Sequence, residues 1–141
     1  MYPEGQLLRF TPFVFKNGAK PKPKFFIVLK HLDDKLMMAS LPTSQDHIPC
    51  DIIYSSGCVN VAERSVNAYV FMPNETVTDS FSFIKPTFVY GEQVDEYALM
   101  YLNEMDTSFE DLGIIQHDLF SQLKECLKQS ALLKRKYRKL L

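Results

Sequence analysis

The sequence predicts an α+β fold that is mainly β: a bent antiparallel sheet followed by one C-terminal helix. Three observations carry this. The 141 residues include eleven Phe and seven Tyr but no Trp, and aromatics of this kind fit a pleated, half-buried surface. Up to about residue 103 the chain is a series of short apolar runs separated by Pro, Gly and Asp signals. From Gln116 the period changes, with Leu119, Leu123, Cys126, Ser130, Leu133, Tyr137 and Leu140 falling at alternating helical spacings. The length suits one domain spanning 1–141, with a sheet body over about 5–103 and a helix over about 116–140. A chain of this size buries roughly 68% of its unfolded surface, enough for a core without a staple.

Each element has its own signal. Residues 7–15 read as a first strand, and Pro12 inside it marks an edge or a bulge. Residues 16–19, Lys-Asn-Gly-Ala, read as a turn, and 20–24 as an extended Pro-rich loop. Residues 25–30 are too apolar to alternate, so they predict a strand covered on both faces. Asp33-Asp34 turns the chain into a partner strand at 35–41, giving a hairpin. Residues 43–63 read as a long irregular connection. Residues 66–72 alternate Val66, Ala68, Val70, Met72 against Asn67, Tyr69, Phe71, a strand with one aromatic face. Residues 81–84, 87–90 and 94–102 are further strand candidates. The C-terminal stripe predicts an amphipathic helix, kinked or whole, packed on the chain's own sheet or, alternatively, on a partner.

Composition sets wide bounds. Apolar content is 46%, charged content 23% and net charge -1, all ordinary for a globular domain. The charge is unevenly spread. Residues 9–30 carry Arg9, Lys16, Lys20, Lys22, Lys24 and Lys30 and no acid, and residues 134–139 carry five more cations. This permits an anionic partner at either end; the plainer reading is a solvated loop and a basic helix C-terminus. Three cysteines without a paired framework predict a reducing, cytoplasmic setting. The N-terminus shows no signal pattern, and no run approaches the roughly 20 apolar residues of a membrane span, so no membrane partner is expected.

Few residues group into chemistry. His47, Cys50 and Cys58 offer three zinc donors where a structural site wants four, so no metal and no other cofactor is expected. Cys50 or Cys58 with His31 or His117 is a compositionally possible Cys-His pair, but a free Cys is often only a core residue. The phosphate-loop, dinucleotide and nucleophile-elbow signatures are missing. What stands out is "KPKPKFFIVLKHLDDKLMMASLPTSQ". Pro21 and Pro23 stiffen a run holding Lys20, Lys22 and Lys24. A hairpin turning at Asp33-Asp34 would bring Lys24 toward Thr43 and Ser44. Lysine is a point charge for phosphate and hydroxyls donate to it. His47, three residues beyond Ser44, has an ordinary pKa near neutrality and suits an acid or base.

These residues also carry a resemblance. "GQLLRFTPFVFKNGAKPKPKFFIVLKHLDDKLMMASLPTSQ", then "KPTFVYGEQVDEYALMYL" with its acid-Gln turn, then "LGIIQHDLFSQLKECLKQSALL" resemble, in order, the PemK/MazF family of toxin endoribonucleases. The likeness covers most of the chain except about 50–79. It implies an SH3-like small barrel with a C-terminal helix, a homodimer, a small antitoxin protein as partner, and metal-independent cleavage of single-stranded RNA to a 2′,3′-cyclic phosphate. The family's catalytic Arg aligns with Lys24, its Thr or Ser with Thr43 or Ser44, and its long first loop with residues 13–23. The chain departs from the pattern at Lys24, at Phe25 where Pro is expected, and at Gln6 where an acid is expected. Lysine lacks the planar fork of arginine.

The expectation is therefore a toxin-like module that binds single-stranded RNA, with cleavage open. Lys24, Thr43, Ser44 and His47 are the candidate catalytic residues, and Arg9, Lys20 and Lys22 steer RNA. The competing expectation is a non-catalytic SH3-like barrel that binds a protein.

Overall fold

The protein's structure, a computed structural model, describes residues 2–15, 17–41, 56–61, 66–104 and 108–141. The strands are β1 (Gln6–Phe13), β2 (Lys22–Leu32), β3 (Lys35–Ser40), β4 (Gly57–Val61), β5 (Val66–Phe71), β6 (Thr87–Val89), β7 (Val94–Ala98) and β8 (Ser108–Ile114). The helices are α1 (Leu99–Glu104), α2 (His117–Lys128) and α3 (Arg135–Arg138). One sheet has five strands in the order β7-β3-β2-β1-β8, and a second has three in the order β4-β5-β6. All their pairings are antiparallel. The fold is thus α+β and mainly strand, as expected.

The hairpin expectation holds. Leu32 pairs with Lys35 across Asp33-Asp34, and Phe26 pairs with Ser40. β2 starts earlier than expected, because Lys22 and Lys24 already pair with Phe13 and Phe10. Pro12 sits where the β1–β2 register shifts, so it marks an irregularity inside the sheet rather than an edge.

The five-stranded sheet is covered on both faces, which explains why β2 and β3 do not alternate. On the core face, Leu7, Ile27, Leu29, Met37 and Ala39 pack with Tyr69 and Phe71 of the smaller sheet and with Leu123 and Leu127 of α2. On the second face, Leu8, Phe10, Phe13, Phe26, Val28, Leu36 and Met38 pack with Tyr2 and with Leu102 of α1. The aromatic side of β5 turns to the main core, and its Ala68 and Val70 meet Phe88 on the other side.

Several expectations fail. Residues 81–84 form no strand, only the isolated bridge Thr78↔Phe81. Phe81 and Phe83 instead join an aromatic cluster, with Phe83 5.5 Å from Phe25 and 5.6 Å from Phe71. Residues 99–102 leave the strand for α1. β4 lies inside the stretch expected to be irregular, and β8 was not expected. Most importantly, the cysteines do pair: Cys58 of β4 is disulfide-bonded to Cys126 of α2, with Cα atoms 5.5 Å apart. This overturns the unpaired reading. It also removes Cys58 from any zinc site or Cys-His pair, since a disulfide sulfur is no thiolate. Among the described residues no group of His, Cys, Asp and Glu could hold a metal ion, and no helix is long and apolar enough to cross a membrane.

The C-terminal stripe is buried from Leu123 to Tyr137 and partly buried at Leu119 and Leu140, yet the helix breaks after Lys128. Ser130 Oγ accepts the Leu132 N–H at 3.3 Å, a local bond that competes with helical pairing. Arg138 then donates to the carbonyls of Lys128, Ser130 and Leu133 at 3.0, 2.7 and 3.2 Å. A cation thereby satisfies acceptors that the helix end leaves open. The turn fits closely on Gly91, where an added Cβ would stand 2.6 Å from Ser130 Oγ. Tyr137 is buried and donates to Asp95 Oδ1 at 3.1 Å.

Candidate nucleic-acid interface

Strand alternation decides what the cations near the β1–β2 end can do. Residues 25, 27 and 29 of β2 face the main core, so 22, 24, 26 and 28 face the other side. Lys22 and Lys24 therefore share the face of Phe26 and Val28. Arg9, paired with Phe25, lies on the opposite face. Of the four cations expected to act on one RNA, Arg9 is separated from Lys22 and Lys24 by the sheet.

Arg9 is already engaged. Its guanidinium lies 3.6 Å from Glu110 and 5.6 Å from the centre of the Phe25 ring. Both ion-pair partners are largely exposed, so the pair contributes on the order of 0–1 kcal/mol. Lys20 is exposed ahead of β2. Lys22 is exposed, with its ammonium 6.0 Å from the Phe15 ring centre. The loop carrying Phe15 is tied to α1 through a bond from the Tyr101 hydroxyl to the Val14 carbonyl.

Lys24 differs from the others. It is half-buried, and no carboxylate lies within ion-pair distance of it among the described residues. Burial, and then the charge of Lys22, hold its pKa below the ordinary lysine value. An ammonium partly out of water, beside a like charge, is a place where an anion is stabilising.

Thr43, Ser44 and His47 lie outside the described residues. The described backbone before them ends at Leu41, whose N–H donates to the Phe25 carbonyl at 3.0 Å. Gln6, at the position where the family pattern has an acid, is buried, and its Oε1 has no hydrogen-bond partner among the described residues. A carboxylate there would be an ion without compensation, so a neutral amide is the cheaper occupant.

Sequence reasoning missed a polar group beside Lys24. Ser40 pairs with Phe26 and shares its face, so it lies diagonal to Lys24 across β2 and β3. Diagonal neighbours of this kind sit roughly 7–8 Å apart. Ser40 is buried, and its Oγ donates to Gln93 Oε1 at 3.1 Å. Tyr97 of β7 packs edge-on to Phe26 at 5.3 Å and to Phe13, the partner of Lys22, at 6.1 Å. Burial, helped by the Asp95 carboxylate, pushes the Tyr97 phenol up to about 12, and the Ser40 hydroxyl beside it acts in the opposite sense. The available signals were Ser40 as the lone hydroxyl in an apolar strand, and Gln93 in the acid-Gln turn.

One face at one end of the sheet thus combines two cations, a half-buried aromatic at Phe15 and a hydroxyl–amide group. No family model matches the chain, and neither a curated protein nor a solved structure matches it.

Proposed function

We propose that the protein binds single-stranded RNA through the Lys22–Lys24 face, as a PemK/MazF-type module. The observation that carries this is the half-buried Lys24 ammonium beside Lys22, without a carboxylate partner among the described residues. Phosphate supplies the missing counter-charge. Phe15 and Tyr97 add aromatic surface of the kind on which unpaired bases stack. On this reading the two antiparallel sheets correspond to the family's SH3-like barrel, although the described strands close no barrel.

Lys24 is then the phosphate ligand and electrostatic stabiliser, Thr43 and Ser44 the hydroxyl donors, His47 the acid or base, and Lys20 and Lys22 the steering charges. Arg9 drops from the set, because it lies on the other face and is paired to Glu110. A second copy of the chain and a small antitoxin protein are the protein partners this reading implies.

The test is incubation with single-stranded RNA in chelator, following binding by fluorescence anisotropy and cleavage by gel. Lys24→Ala should weaken binding about 10- to 100-fold, the weight of a charge-assisted contact. Fragments ending in cyclic phosphate that vanish in this variant would establish the nuclease. Unaltered binding in Lys24→Ala would overturn the assignment.

The protein-interaction reading has its own observation. Phe109 and Ile114 on the edge strand β8 are 46% and 48% exposed, and an edge strand with apolar side chains invites strand addition by a partner protein.

A further inference from the structure

We infer that Asn17, in the loop joining β1 to β2, converts its own side-chain amide to a carboxylate, and that the charge so gained weakens the anion site at the β2 end. The conversion stands on the loop alone; its effect on binding rests on the RNA reading.

The chemistry starts from the Asn17-Gly18 pair. Of the five asparagines, at 17, 60, 67, 74 and 103, only Asn17 precedes a glycine. A backbone nitrogen can attack the side-chain amide carbon of the asparagine before it and close a five-membered ring. A side chain on the attacking residue stands in the way, and glycine has none. Deprotonated by hydroxide, the Gly18 nitrogen forms a bond to Asn17 Cγ. The Cγ–Nδ2 bond breaks, and the amide nitrogen takes up a proton and leaves as ammonia. Water then opens the cyclic imide at either carbonyl, giving an aspartyl or an isoaspartyl residue at position 17. One water enters, one ammonia leaves, and neither oxidant nor reductant is needed.

The loop favours each step. Asn17 and Gly18 are exposed, so water and hydroxide reach both. Gly18 has φ +79°, and a Cβ there would meet nothing within 4 Å, so no packed neighbour opposes the ring. Its N–H donates to the Phe15 carbonyl at 3.4 Å, a long bond that is easily given up. Ala19 donates its N–H to Asn17 Oδ1 at 2.9 Å. That bond folds the amide back along its own chain and stabilises the negative charge that gathers on Oδ1 as the ring closes.

The consequence follows from where the charge lands. Residues 14–21 connect Phe13 to its partner Lys22. Lys20 lies three residues beyond Asn17, at most about 10 Å along the chain. The Lys22 ammonium stands over the ring of Phe15 in the same loop. Residues 9–30 contain no acid, so a carboxylate at position 17 is the first in the stretch.

The full chain is aged at mildly alkaline pH and followed by peptide mass spectrometry, ammonia release and labelling with an isoaspartyl methyltransferase. Asn17 should convert fully while Asn60, Asn67, Asn74 and Asn103 keep their amides. Asn17→Gln, which would have to close a larger ring, should stay unconverted at that position and keep its RNA affinity on ageing. The aged wild type and Asn17→Asp should bind single-stranded RNA about 2- to 5-fold more weakly at physiological salt, the weight of one added charge within about a Debye length of the lysines. High salt should erase the difference. Conversion at Asn17 no faster than at the other four asparagines overturns the inference. Full conversion with undiminished affinity, in a chain that Lys24→Ala still weakens, overturns the charge effect. Affinity indifferent to Lys24→Ala removes the RNA reading and leaves the modification site standing.

Discussion

Two short stretches of this chain are rich in cations, residues 20–24 and residues 134–139, and they behave differently. In the tail, Arg138 turns inward onto three carbonyls. Lys136 lies 3.7 Å from Glu96 and 5.1 Å from the Tyr137 ring centre. Lys134, Arg135 and Lys139 are exposed, where water stabilises them at little cost. At the other stretch Lys24 is half-buried without a carboxylate among the described residues, and Lys22 adds a like charge. The lesson is that a run of lysines says little until burial and partners are known. The tail is scaffold, because its inward cation closes a helix end. The β2 end is the site on the proposed reading, because its charge is compensated by no described acid.

The largest expected effect concerns the scaffold. The Cys58–Cys126 bond spans 68 residues, and constraining a loop of that length is worth about 4 kcal/mol in the chain-entropy account. Reduction, or Cys58→Ser, should lower stability in urea by about that amount. RNA affinity should hold wherever the protein is still folded, because the bond joins β4 to α2 and anchors in no strand of the five-stranded sheet. Coupled loss of affinity and stability would show that the two regions are not separable.

A smaller effect separates lysine from arginine. On the proposed reading the ammonium form of Lys24 binds phosphate, and its pKa lies below the ordinary lysine value through burial and then Lys22. Affinity should be full below that lowered pKa and fall as pH rises through it, earlier than an ordinary lysine would allow. Lys24→Arg stays charged across this range and should abolish the pH dependence. The check is anisotropy across alkaline pH. An identical decline in Lys24→Arg would place the titrating group elsewhere.

Much of the sheet was legible because burial leaves a mark. β2 and β3 showed as unbroken apolar runs, β5 as an alternation, and the C-terminal stripe as a helical period that persists through a break. β4 and β8 left little mark. β4 is five residues long and opens on Gly57. β8 carries Glu110, Asp111 and Gly113, because an edge strand held by backbone pairing with β1 needs few apolar side chains. Residues 81–84 misled in the opposite direction: Phe81 and Phe83 are apolar for a cluster, not for a ladder. The disulfide was illegible because the spacing between Cys58 and Cys126 reveals nothing about which elements meet. Of the site, Lys22 and Lys24 showed in the charge pattern. The separation of Arg9 from them, and the Ser40–Gln93 bond, depend on how the strands pair, which composition does not hold.

The most direct test of the central claim is the salt dependence of RNA affinity in two double variants. Each phosphate-neutralising cation adds roughly 0.7 to the log–log slope for a single strand. Lys22→Ala with Lys24→Ala should reduce the slope by about 1.4, whereas Lys134→Ala with Lys139→Ala should leave it unchanged. A slope that falls with the tail variant and holds with the β2 variant would contradict the account.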